Sequence, residues 1–566
     1  FNQHEQRAWL EGRGHRFTSR CDTEIIPHLY EELGADFAAR LRGMFAIVVW
    51  DAVEHRGVLV RDRLGIKPLY YTEVENGILF ASELKALLAS GRVETGLDYE
   101  AVDAYLTLGF FPGPATPLRA VRKLMPGHRI VVENGGYRVE QWWTYPRPQA
   151  DARTRSEAEW AELLLDKLRE SVRLRLMSDV PLGAMLSGGL DSSLLVALMA
   201  ELMSEPVKTF SVGFAGEDNE LDDARTVARL NGTDHHELEL SLDTTTSDLA
   251  DLVWHMDEPV ADLSAIGFMK LCGLARQHVT VALSGQGADE LLGGYRKHRA
   301  AALLERWHLA AALARRPARA VAPHLSARYR RAVATVGAGD ASTRLLSMSG
   351  LLDLETRRRI ARGRLTSVSR NAALHAANSL GPPEQPLAGT LFLDAQLGLV
   401  DDMLHYFDRT SMAHSLEVRV PFLDHEFVEL CATVPARLKV NGGVTKYILR
   451  AAARGRVPDH VIDKPKVGFF NAAVDRWFDS QARGAAREVL LDTGARYAEL
   501  IDRSWVEETL ESHESGLGTR SQHSLLAVLM LELWLSEFMP RAAGLGEGAP
   551  GRDRPDTGVV VGSSHG

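Results

Sequence analysis

The stretch best suited to chemistry is Leu186-Ser187-Gly188-Gly189-Leu190-Asp191-Ser192-Ser193, set between a short apolar run and a longer one. Gly188 and Gly189 permit a tight turn whose N–H groups point inward. Ser187, Ser192 and Ser193 add hydroxyl donors, and a helix starting there brings partial positive charge to the same point. The segment therefore suits an anion. Asp191 would repel a phosphate unless a metal stood between them, which points to Mg²⁺. Gly and Ser also occur in ordinary strand-to-helix turns, but the whole SGGLDSS set between a strand and a helix favours nucleotide chemistry. A second loop, LSGQGADELLGGY (283–295), follows the apolar VTVAL. Its glycines permit close backbone approach, and Asp289 and Glu290 are either hard oxygen ligands or caps of the next helix. Loops leaving the carboxyl ends of parallel strands gather on one edge, so the two are expected to share one nucleotide·Mg²⁺ site.

The elements that must position these loops come in two kinds. Residues 1–145 are β-rich: GMFAIVVWD (43–51) and RGVLVRD (56–62) read as strands joined by a polar turn at Glu54 and His55. LYYTEVENGILFAS (69–82) and HRIVVENGGYRVEQWW (128–143) read as hairpins. Such a run predicts an antiparallel, layered domain. Polar, proline-bearing 146–155 reads as a linker, and Ser156 with Glu159 opens a helix over 156–179 with a capping box. From 180 to 295 strands and helices alternate, which predicts a parallel sheet covered by helices on both faces. Residues 297–390 and 391–540 read as helical, and the Gly/Pro/Ser-rich 541–566 as a disordered tail.

Composition narrows the function classes. A chain of 566 residues points to about two to four domains, with 45% apolar and 25% charged residues as in ordinary globular proteins. A net charge of −10 argues against nucleic acid as a general partner. The three cysteines, Cys21, Cys272 and Cys431, form no CxxC pair and suit a reducing compartment. FAIVVW (45–50) and SLLVALMA (193–200) are too short to span a bilayer, and no signal peptide is visible, so a cytoplasmic location is expected.

LSGGLDSS resembles the SGGxDS pyrophosphate loop of ATP pyrophosphatases, which cleave between the α- and β-phosphates to adenylate a substrate. With CDTEIIPHLYEELG (21–34), RDRLGIKPLYY (61–71), LSGQGADELLGGY, DRTSMAHSLEVRVPFLD (408–424) and TKYILR (445–450), the chain resembles the glutamine-hydrolysing asparagine synthetases over nearly its whole length. The resemblance implies an α/β chain: an αββα (Ntn-type) glutaminase domain over 1–145, then an ATP-pyrophosphatase domain with parallel sheet and helical additions over 156–540. It implies ATP and Mg²⁺, with aspartate or another carboxylate and glutamine as small-molecule substrates, and a possible homodimer. Leu186, Ser187, Gly188, Gly189, Asp191, Ser192, Val212, Ser284 and Gly285 would bind ATP, with Val212 in KTFSVGF reading the adenine edge or serving as plain core. Asp191 and Asp289 would hold Mg²⁺. Lys446 and Gln286 would be catalytic, although Lys446 by itself reads as a solvated helix lysine. Asp22 would hold the amino group of glutamine. Arg419 and Glu417 would line the domain interface or ammonia passage, with a structural ion pair as the equal reading.

Two departures stand out. A glutaminase of this kind needs an N-terminal cysteine, whose thiolate attacks the amide, and the chain begins at Phe1. Cys21 aligns with a position that is not the nucleophile. The resemblance places an Asn-Gly-Glu strand ahead of FNQHE, so the sequence reads as lacking its leading strands and as ammonia-dependent at best. Gln286 stands where many relatives carry an acid, and an amide can orient a substrate but cannot take a proton. That weakens the assignment to aspartate, and KPKVGFFNAAVDRWF (464–478) matches only approximately. Rival readings are an amidotransferase on another carboxylate, a cyclase of the β-lactam-synthetase kind, and a non-catalytic nucleotide-binding homologue. Asp191, Asp289 and Lys446 speak against the last.

Overall fold

Period-two patterning of apolar residues builds the N-terminal strands. They are β1 (Ala46–Asp51), β2 (Arg56–Arg61), β3 (Tyr70–Val74), β4 (Gly77–Ala81), β5 (Val121–Lys123), β6 (His128–Glu133) and β7 (Gly136–Gln141). The computed structural model describes residues 1–75, 77–149, 155–214, 220–240, 246–307, 327–465, 484–514 and 521–547. Two antiparallel sheets form, ordered β1-β2-β6-β7 and β4-β3-β5. Successive residues of β2 face opposite ways. Val58 and Val60 pack under the helices Gln3–Glu11 and Ile25–Leu33 with Leu10 and Leu29, while Leu59 packs against Tyr71, Ile130 and Val132 between the sheets. Tyr70 and Leu79 face outward onto the helices Leu84–Leu88 and Tyr99–Leu108. The layering is helix, sheet, sheet, helix.

The helix Glu157–Arg175 starts with the expected reciprocal bonds between Ser156 and Glu159 and ends short of 179. Beyond it lie β8 (Leu182–Met185), β9 (Lys208–Phe214), β10 (Asp234–Leu240), β11 (Val281–Leu283) and β12 (Glu417–Arg419). They form one parallel sheet ordered β10-β9-β8-β11-β12. Ala184, Val281 and Leu283 pack with the helices Glu157–Arg175 and Leu190–Leu202, while Met185, Ala282 and Val418 face the helix Ser264–Arg276. Both faces of the central strands β8 and β11 are thus buried, which is why those two read as apolar runs. β12 corrects the all-helical reading of 391–540: three residues are too few to carry a periodicity, and only pairing with β11 makes them a strand.

Residues 146–149, at the start of the expected linker, form no helix or strand and are tied down where Arg147 Nη2 donates to Gly381 O (2.8 Å) and the Gln149 N–H to Ala432 O (3.2 Å). One further expectation needs correction. The tail expected to be disordered from 541 instead continues the helix Met539–Glu547, since Ala542 is fully buried in the C-terminal core. Residues 150–154 and 548–566 lie outside the described residues.

Buried ion pairs join the halves. Arg42 grips Asp424 through two bonds (2.8 and 2.9 Å), and Arg175 adds a third at 3.0 Å. Lys123 Nζ stands 2.9 Å from Glu258 and 3.3 Å from Asp401.

Candidate active site

At the carboxyl edge of the parallel sheet, β8 leaves into the 187–193 loop. Gly188 takes φ +71°, a conformation that side chains rarely adopt. Ser192 Oγ ties the loop: it accepts from the Ser187 N–H (3.1 Å) and lies 3.0 Å from Ser187 Oγ. The helix Leu190–Leu202 begins directly behind, so its N-terminal N–H groups face the cleft. The loop after β11 closes on this turn. A Cβ on Gly285 would stand 2.9 Å from Ser192 N and 3.1 Å from the Asp191 carbonyl carbon, so only glycine lets the two backbones meet here.

The chemistry converges on Lys446. Its Nζ lies 2.5 Å from Asp191 Oδ2 and 2.5 Å from Asp289 Oδ1. The lysine is 4% exposed, not solvated. Its backbone is left-handed (φ 50°, ψ 36°) at the start of the helix Tyr447–Ala453. A non-glycine residue so held costs on the order of 1–3 kcal/mol, a strain the surrounding packing must sustain. Gly294 leaves the room: a Cβ there would overlap Asp289 Oδ1 and Lys446 Cε. Neither Asp289 nor Glu290 serves as the cap considered from sequence, because the N-cap of Ala288–Leu292 is Gly287 with no side-chain bond. Glu290 instead accepts from Tyr295 OH at 2.5 Å, and burial, then the Asp289 charge, pushes its carboxyl up to about 7. The Gln286 amide rests on Met403 Sδ at 2.8 Å.

All twelve residues expected to serve nucleotide, metal and catalysis line this one cleft. An apolar wall faces the loops, where Phe268 stacks on Phe407 at 3.8 Å. Arg450 and Lys464 also line the cleft and were not singled out from sequence. Arg450 lies in the quoted TKYILR run, but nothing in its spacing tells a cleft residue from a solvated one. The donor set fits Mg²⁺: two hard carboxylates already converge on one positive charge, with the Lys446 ammonium standing in for a cation.

Asp22 is not in this cleft. It lies exposed in the N-terminal domain at the start of the short helix Asp22–Glu24, and the exposed Cys21 beside it has Sγ 2.9 Å from Thr23 Oγ1. Arg419 connects the two regions. Its carbonyl accepts from the Ser284 N–H (2.8 Å), and its guanidinium lies 5.2 Å from the Phe1 ring centroid. Arg419 also pairs with Glu417 at 2.7 Å and donates to the carbonyls of Arg175 and Met177, so the ion-pair reading and the interface position hold together. Most of 464–478 lies outside the described residues.

An αββα layer is thus docked on a domain with a cleft at the carboxyl edge of its parallel sheet. Residues 1–143 match the glutamine amidotransferase domain family, and residues 163–536 match asparagine synthase. The chain is 30% identical to asparagine synthetase [glutamine-hydrolyzing] 1 of Bacillus subtilis over 538 residues, covering 95% of this chain and 84% of that one. It is 31% identical to a putative asparagine synthetase of Mycobacterium tuberculosis (92% and 81% covered) and 30% identical to amidase chyE of Penicillium rubens (80% and 73%). The chain belongs to the asparagine synthase family. No helix among the described residues is long and apolar enough to cross a membrane.

Proposed function

We propose that the cleft forms asparagine from aspartate, ATP and ammonia, with glutamine as the ammonia source, releasing AMP and pyrophosphate. The aspartate side-chain carboxylate attacks the α-phosphorus, the α–β bridge bond breaks, and pyrophosphate leaves into the 187–193 loop. Ammonia then attacks the acyl-adenylate carbonyl, AMP departs and a proton is lost. The loop N–H groups and the hydroxyls of Ser187 and Ser192 hold the departing phosphates. Lys446, fixed beside both loops, offsets charge as it builds on the α-phosphoryl group. Asp191 and Asp289 are the residues that would hold Mg²⁺, which when bound neutralises charge on the pyrophosphate. Val212 and the Phe268–Phe407 wall receive the adenine side. Gln286 orients the intermediate by hydrogen bonds and leaves the proton to other acceptors. Asp22 holds glutamine in the N-terminal domain, and the place of action is the cytoplasm.

The observation that supports this reading most is the convergence of Asp191, Asp289 and Lys446 between two glycine loops. The test is AMP release with aspartate and ammonium chloride. Aspartate-dependent AMP is expected, and AMP release indifferent to aspartate would overturn the assignment.

A further inference from the structure

Far from the cleft, the N-terminal domain brings three ligand-type atoms together. His15 follows the helix Gln3–Glu11, and His28 and Glu31 lie on the helix Ile25–Leu33. His15 Nδ1 and His28 Nδ1 stand 3.1 Å apart, and Glu31 Oε2 is 3.4 Å from the first and 3.3 Å from the second. His15 Nε2 meets Glu32 Oε1 at 2.9 Å. In the neutral ring whose proton on Nε2 meets that carboxylate, the Nδ1 lone pair is turned into the triangle. Glu31 brings lone pairs as well.

We propose that His15, His28 and Glu31 bind a divalent transition-metal ion, zinc by preference, with the fourth position open to water. Ligand bonds of about 2.0–2.1 Å give a tetrahedron edges of roughly 3.3–3.4 Å, whereas octahedral Mg²⁺ would need edges of about 3.0 Å. Two of the three separations, 3.3 and 3.4 Å, match the tetrahedral edge and the third is 3.1 Å, and two imidazole nitrogens favour zinc and its neighbours over Mg²⁺ or Ca²⁺. The outer bond from Glu32 orients His15 as carboxylates orient metal-bound histidines elsewhere. Glu32 is itself fixed by Arg13 at 3.1 Å, and the His15 hydrogen bond holds its carboxyl below the ordinary range. Phe17 braces the His28 ring edge-on at 4.8 Å. The two histidine side chains are 13% and 20% exposed and Glu31 62%, so the nitrogens are positioned by packing while solvent reaches the open side. The ion would tie both ends of the loop that carries Cys21 and Asp22, closing it at His15 and His28.

The test is zinc and cobalt titration of the chelator-treated protein. One equivalent is expected to bind, cobalt to give the visible bands of a tetrahedral site, and zinc to raise the thermal midpoint. His28→Ala and Glu31→Gln should each weaken binding by about 100-fold or more and Glu32→Gln by about tenfold, while His4→Ala, at an exposed histidine outside the cluster, should not. Circular dichroism of the metal-free variants checks that they fold. No equivalent bound at micromolar zinc, or binding unchanged in both His28→Ala and Glu31→Gln, would overturn the site.

Discussion

Lys446 and Lys123 are both buried, at 4% and 5% exposure, and each stands between two carboxylates, yet their surroundings differ. Lys123 also donates to Phe111 O (2.6 Å). Its partner Glu258 accepts from Tyr70 OH (2.9 Å), and Asp401 accepts from the Gly113 N–H (2.8 Å). The bonds from Tyr70 and Gly113 cross between the domains, and the Glu258 and Asp401 side chains are 2% and 4% exposed. Around Lys446 the carboxylates are 12% and 11% exposed and front a cleft built of glycine loops. A lysine between two carboxylates therefore makes a strut in one place and fronts the candidate site in the other. What decides is whether the charges answer to fixed backbone and hydroxyl partners or face space where a substrate can enter. A π-helical segment, Gly398–Met403, joins the two, with Asp401 on the strut and Met403 under Gln286.

The largest effect expected from breaking this comparison is on stability. Lys123→Met leaves Glu258 and Asp401 buried without their cation and should cost about 3–5 kcal/mol in urea unfolding, with AMP formation per folded molecule nearly unchanged. Lys446→Met should lower kcat/KM for AMP formation by about 10²–10³, with a smaller loss of stability because water reaches its carboxylates from the cleft. Reversal of these two outcomes would break the distinction. Gly294→Ala forces a Cβ onto Asp289 and Lys446; relief of that overlap should cost about 1–3 kcal/mol and appear as a raised KM for ATP. Asp424 makes the comparison depend on pH: burial alone would raise its carboxyl, but Arg175 and Arg42 hold it far below its ordinary 3.8. A depressed carboxyl contributes stability that is full above the unfolded value and is lost as pH falls through the folded one. Acid unfolding of the native protein should therefore steepen below about pH 4, and Asp424→Asn should remove that component.

That the 187–193 loop fronts a cleft was legible because its pattern is local: glycines, hydroxyls and an acid within eight residues, between a strand and a helix. The αββα layering and the parallel sheet were legible from periodicity and resemblance. Lys446 was legible only by resemblance, since nothing in TKYILR tells of burial or of φ 50°. The steric role of Gly294 and the strand Glu417–Arg419 depend on contacts between distant segments, which no spacing rule encodes. The Lys123–Asp401 pair spans 278 positions, and the His15, His28 and Glu31 triangle exists only because two helices pack. Expecting disorder at 541–547 failed because composition was weighed without the buried Ala542.

The central claim is attack by the aspartate carboxylate on the α-phosphorus of ATP. Aspartate labelled with ¹⁸O in its side-chain carboxylate, incubated with ATP, Mg²⁺ and ammonium chloride, should deliver one labelled oxygen to AMP for each asparagine formed. Asparagine formed with unlabelled AMP, or with ADP and labelled phosphate, would contradict it.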